Sequence, residues 1–160
     1  MMNLMIEQSD THIELPTQTL VAFSAQEAYA GITLLAIAFD TDLADEELGA
    51  IDRQLAQMHL FQHFQPQTMH RMYQKLFTIL QRDGEEVLLA SVRETLPSEL
   101  REAAFASASD LVFADGMISP DESSFLMRLS QALEIPMATA IRILGGTHLK
   151  CSYNHALSNA

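Results

Sequence analysis

Two pairs of carboxylates are the residues of this sequence best suited to chemistry. Asp115 and Glu122 stand seven positions apart, and Asp40 and Glu47 repeat the spacing. Asp42, Asp45 and Asp121 add secondary candidates beside them. Oxygen donors of this kind select hard divalent ions, so calcium or magnesium is expected before zinc. The spacing is not that of an EF-hand, whose alternating acidic loop and central Gly are absent. Paired carboxylates also serve general acid–base catalysis, which makes a hydrolase the enzymatic alternative. No phosphate-cradling glycine loop, nucleophile elbow or zinc-hydrolase motif accompanies them, so no catalytic residue is assigned and a non-enzymatic binding role is expected. A purely structural reading competes: Asp115-Gly116 is an ordinary turn, and Ser119-Pro120-Asp121-Glu122 an ordinary helix start.

The other chemistry-bearing residues carry less. His59 and His63 are four apart with His70 beyond, a spacing that suits zinc on one helical face. The connector at 62–66 interrupts that face and no cysteine assists, so these histidines are read as incidental. Cys151 is the single cysteine, which excludes an intrachain disulfide and gives no sign of an oxidising compartment.

Charge narrows the partners. Nine Lys and Arg against 21 Asp and Glu give a net charge of −12. Such a surface repels phosphate backbones and anionic membranes, which argues against nucleic acid and suits cations or basic protein surfaces. Six acids and no base lie between Asp40 and Asp52, either a solvated face or a docking surface for a basic partner. No run approaches the length of a spanning helix, and the first residues lack a positive n-region, so a cytoplasmic protein without membrane insertion is expected.

The elements that must position the carboxylates are helices. Hydrophobic residues make up 48% of the chain, enough for one domain with a continuous core. Ser24-Ala25-Gln26-Glu27 has capping-box spacing, and the run from Ala28 to Phe39 is apolar on most faces, the pattern of a buried helix. A second helix is expected from about Asp45 to Met58. A third starts at Pro66 and carries Met69, Met72, Tyr73, Leu76 and Leu80 as core, and a fourth runs between Asp83-Gly84 and Pro97. A fifth runs from about Ser98 to Ala114, a sixth opens at Ser119, and the last spans Pro136 to Gly145-Gly146. No strand pattern is present, so the fold class is an all-α bundle of about seven helices. Residues 1–16 form an N-terminal arm, 17–148 the domain and 149–160 a tail.

Shifted by 75 positions, the chain aligns with itself: Asp40 falls on Asp115, Leu43 on Ile118, Glu46 on Asp121, Glu47 on Glu122 and Arg53 on Arg128. The expectation is a two-fold pseudo-repeat of helix, acidic turn and helix. Asp40 and Asp115 sit at helix C-termini, where the helix dipole disfavours them. Four carboxylates brought together need a cation, an Arg or protonation to be tolerated.

The stretch Leu111-Val112-Phe113-Ala114-Asp115-Gly116-Met117-Ile118-Ser119-Pro120-Asp121-Glu122, followed by Leu133-Glu134-Ile135, resembles the signature of the tellurite-resistance TerB-like family. The resemblance covers residues 20–145. It implies a helical binding module of bacterial stress or metal-response systems, with Asp115 and Glu122, and Asp40 and Glu47 in the first copy, as divalent-cation ligands. The first copy departs from the family pattern at Thr41 and Ala44, where Gly and a cap Ser or Thr are usual.

Overall fold

The computed structural model describes residues 19–38 and 45–158, the side chains of 45–47 and 149–158 excepted. Among the described residues there are seven α-helices and no strand: α1 Ala25–Ala38, α2 Asp45–Ala56, α3 Pro66–Asp83, α4 Glu85–Thr95, α5 Ser98–Val112, α6 Pro120–Ala132 and α7 Met137–Ser158. A short 3-10 turn, His59–Phe61, leads from α2 towards α3.

The helix that reads as apolar on most faces is the centre of the bundle. Every residue of α1 from Ala28 to Ala36 is buried, and α1 packs against α2, α3, α4 and α5, most broadly against α5 and α4. A helix with neighbours on every side cannot keep a polar face, which is why its pattern lacks amphipathic contrast. Close approach needs small side chains. A Cβ on Gly31 would stand 2.8 Å from Val92 Cγ2, so glycine there admits α4. On α5, Ala104, Ser107, Ala108 and Ser109 are buried and let its backbone come near.

The surrounding helices each offer one stripe to this centre. Met69, Met72, Tyr73, Leu76 and Ile79 are the buried residues of α3, as the period of three and four predicts, while Leu80 is only partly buried. Phe125, Leu126 and Leu129 do the same for α6. Each such side chain contributes about 1.5–3 kcal/mol when removed from water.

The chain turns where its special residues stand. Pro66 occupies the first turn of α3, and Gly84, at φ 90°, separates α3 from α4. Helix α6 ends differently, with Glu134 in the left-handed region at φ 56° and Ile135 N–H donating to the Ser130 carbonyl at 2.9 Å, a Schellman closure without glycine. Arg101 supports it, donating to the Leu133 carbonyl at 3.3 Å and to Glu134 Oε2 at 3.0 Å, while Arg93 reaches Glu134 Oε1 at 3.3 Å.

The second and fifth helices end two residues earlier than the sequence reading places them, at Ala56 and Val112, and one boundary differs widely. The last helix does not stop at Gly145-Gly146 but passes through them to Ser158. Neither glycine has a positive φ, and glycine ends a helix only where the backbone uses its freedom.

Candidate functional site

The acidic turn at 115–122 is built by two adjoining helix ends. Helix α5 finishes at Val112, and Gly116 at φ 81° reverses the chain while its N–H donates to the Phe113 carbonyl at 2.9 Å. Asp115 then accepts the Met117 N–H on Oδ1 at 3.0 Å, tying the turn across itself. Ser119 caps α6: its Oγ accepts the Glu122 N–H at 3.2 Å, and Glu122 Oε2 accepts the Ser119 N–H at 2.7 Å. Both bonds of the capping box are therefore present, and Pro120 fills the position whose missing N–H has no helical partner.

Each key carboxylate thus spends one oxygen on local backbone and keeps the other open. Asp115 Oδ2 and Glu122 Oε1 have no hydrogen bond among the described residues. Asp115 and Asp121 are exposed and Glu122 is half-buried. Met117 and Ile118 project between them at 76% and 38% exposure, and no Lys, Arg or His occurs from Glu102 to Met127.

Asp40 and Asp42 fall outside the described residues, as do the side chains of Asp45 and Glu47. Among the described residues no group of three or more His, Cys, Asp or Glu is placed to hold a metal. Oxygen donors at Asp115 and Glu122 match a hard cation in kind, but two carboxylates supply far fewer than the six to eight ligands of calcium. A complete site needs the first turn or water.

His59 and His63 do not share a helix face, since His59 opens the 3-10 turn and His63 follows it, with His63 Nε2 3.2 Å from Gln62 Nε2. His70 is an exposed residue of α3.

A feature that residue types alone do not announce lies along α3. Three concavities follow one another around its outer side. The first, of about 210 Å³, is lined by Leu48, His70, Tyr73, Gln74 and Phe77. The second, of about 400 Å³, shares His70 and Gln74 with it and adds Pro66, Gln67 and Arg71. The third, of about 330 Å³, shares Arg71 and adds Ser24, Glu27, Phe64, Thr68, Met72 and Lys75. Three helices, α1, α2 and α3, and the residues flanking them form their walls, which is why no single periodic pattern shows them.

The electrostatics of this groove are set by few groups. Lys75 Nζ donates to Glu27 Oε1 at 2.7 Å and stands 5.4 Å from the Phe23 ring centroid. Burial pushes the Glu27 carboxyl up, but the Lys75 hydrogen bond and charge and the Ser24 bonds outweigh it and hold the pKa below the usual range. On α2, partial desolvation raises the carboxyl of the exposed Asp52 and His70 opposes it. Burial, then the Asp52 charge, push the Tyr73 phenol well up, and its hydroxyl lies by Thr33 without a bond of good geometry. Arg71 joins none of the ion pairs among the described residues.

No helix among the described residues is long and apolar enough to cross a membrane. No curated protein and no solved structure matches the chain. The model of one family, tellurite resistance protein TerB, matches residues 26–144, a span that starts within α1, includes Asp40, Glu47, Asp115 and Glu122, and runs into α7. The chain therefore belongs to the TerB tellurite-resistance family.

Proposed function

We propose that the chain is a non-enzymatic binding module of a bacterial tellurite- or metal-response system, whose two acidic turns together hold a divalent cation, calcium or magnesium before zinc. The observation that carries this is the open oxygen on each carboxylate of the second turn. Backbone bonds to Met117 and Ser119 fix how Asp115 and Glu122 are held, and Oδ2 and Oε1 remain for a ligand. Pre-ordered ligands lose little freedom when an ion arrives. Asp40 and Glu47, at the same spacing in the first turn, supply the remaining carboxylates, with Asp42, Asp45 and Asp121 as reserves. The 75-residue shift that pairs the turns also places the start of α2 at Asp45 on the start of α6 at Pro120, which supports a pseudo-repeat. The bound ion would supply positive charge that relieves repulsion among the four acids.

Ion binding adds to folding stability by mass action, by about 2.7 kcal/mol at a hundredfold excess over Kd. Thermal unfolding with millimolar calcium or magnesium, compared with chelator, is the test. A rise in Tm with the ion supports the reading; identical curves in every divalent ion overturn it.

A second reading dispenses with metal and has its own observation. Exposed Met117 and Ile118 amid acids without a neighbouring base form a surface for a basic partner, since methionine adapts its shape to what it contacts. That association would weaken with salt and survive chelation. A hydrolytic role for the same carboxylates would require a concave pocket adjoining them.

A further inference from the structure

We propose that the groove along α3 is the docking site of the chain's own N-terminal segment, residues 1–16. The groove is concave over three adjoining hollows, with apolar walls at its ends (Leu48, Tyr73 and Phe77 at one, Phe64 and Met72 at the other) and Arg71 between them. Its charge is unusual for this protein. Arg71 has no acidic partner among the described residues of a chain carrying −12, so the groove offers an uncompensated cation.

The segment has the complementary composition. It holds Glu7, Asp10 and Glu14 and no Lys or Arg, interspersed with Met1, Met2, Leu4, Met5, Ile6, Ile13 and Leu15. An occupant with apolar side chains for the ends and acids for the middle is what the groove's walls select. The connection is also in place. Phe23 lies beneath Lys75 and Ser24 is itself a wall, so the described chain passes the lip of the groove just after Val21, whose N–H donates to Ser91 Oγ of α4 at 3.0 Å. The groove follows α3 from about Pro66 to Phe77, a rise of roughly 18 Å. Sixteen residues span up to about 55 Å when extended, so the segment can reach every part of it.

The sequence provides a selective probe, because Lys75 and Lys150 are its only lysines. A zero-length carbodiimide joins a carboxylate to a lysine amine within contact distance, and peptide mass spectrometry identifies the pair. Applied to the full chain, it is expected to link Glu7, Asp10 or Glu14 to Lys75 in species of single-chain mass. Arg71→Glu should lower that link by at least about threefold, and raised salt should lower it as well. The Glu27–Lys75 link, 2.7 Å apart in the fold, should persist in Arg71→Glu and shows that the variant is folded. Three results would overturn the proposal. Lys75 coupled only to Glu27 means the segment does not dock there. Arm links confined to covalent dimers mean the occupant is the segment of a second copy. An arm link unchanged by Arg71→Glu means the cation does not select it.

Discussion

Tyr29 on α1 and Ser107 on α5 share a hydrogen bond of 2.8 Å between their hydroxyls inside the core. It ties the two central helices through polar groups in a region rich in apolar packing, and Tyr29 is fully buried. Tyr29→Phe leaves the Ser107 hydroxyl unpaired and should lower stability by about 1–3 kcal/mol. Tyr73, a second buried tyrosine, has a hydroxyl by Thr33 with no hydrogen bond of good geometry among the described residues. Tyr73→Phe removes an unsatisfied group and should be neutral or stabilising by about 1 kcal/mol. Denaturant midpoints for the two variants, at unchanged slope, should move in opposite directions or differ by at least that margin.

The glycines divide in the same manner. Gly31→Ala forces a Cβ to within 2.8 Å of Val92 Cγ2, and the core must shift to admit it. Overpacking of this kind loses about 1–3 kcal/mol, outweighing the gain of about 1 kcal/mol from better helix propensity. Gly145 and Gly146 face open space within α7, so alanine there should add about 0.5–1 kcal/mol each. Thermal unfolding of the three single variants checks the sign at each position.

Two carboxylates should move stability with pH in opposite senses. The folded pKa of Glu27 lies below its ordinary value of 4.5, held down against burial by Lys75 and Ser24. Its stabilising contribution is present above that value and is lost as pH falls through the folded pKa. Glu27→Gln should therefore be less stable than wild type at pH 7, with the difference closing below pH 4.5. Burial raises the Asp52 pKa from 3.8, so ionisation penalises the fold at neutral pH. Asp52→Asn should gain stability at pH 7, and the gain should vanish below pH 3.8. Urea midpoints taken from pH 3 to 7 would show both trends.

Ser119 and Glu122 separate capping from charge. Ser119→Ala removes the acceptor for the Glu122 N–H and should cost about 1 kcal/mol. Glu122→Gln keeps an oxygen to accept the Ser119 N–H, as the capping box permits, and removes the charge. Its denaturation midpoint should stay close to that of wild type, whereas Ser119→Ala should fall.

Much of this fold is legible in the residues because local and global demands agree. The Ser24 and Ser119 capping boxes form as spaced, with Ser24 N–H donating to Glu27 Oε2 at 2.9 Å and Glu27 N–H to Ser24 Oγ at 3.1 Å. Pro66 and Gly84 bound α3 as read, and the apolar run after Ser24 becomes the central helix. Gly145-Gly146 misleads, because glycine permits a turn without requiring one. The left-handed Glu134 escapes notice because its stability comes from Arg93 and Arg101, distant in sequence. The family and the turn and helix cap that hold Asp115 and Glu122 were legible from the motif. The α3 groove was not, since its walls come from separate elements whose packing no period encodes. Of the Asp40–Glu47 stretch, residues 40–44 and the side chains of 45–47 lie outside what the structure describes.

The most direct test of a cation held by the acidic turns is calorimetric titration of the full chain with calcium and magnesium, beside Asp115→Asn and Glu122→Gln. Saturable heat in wild type should weaken at least about tenfold, or 1.4 kcal/mol, in either variant while the Glu122→Gln midpoint stays unchanged. No heat at millimolar ion, or equal binding by all three proteins, would contradict it.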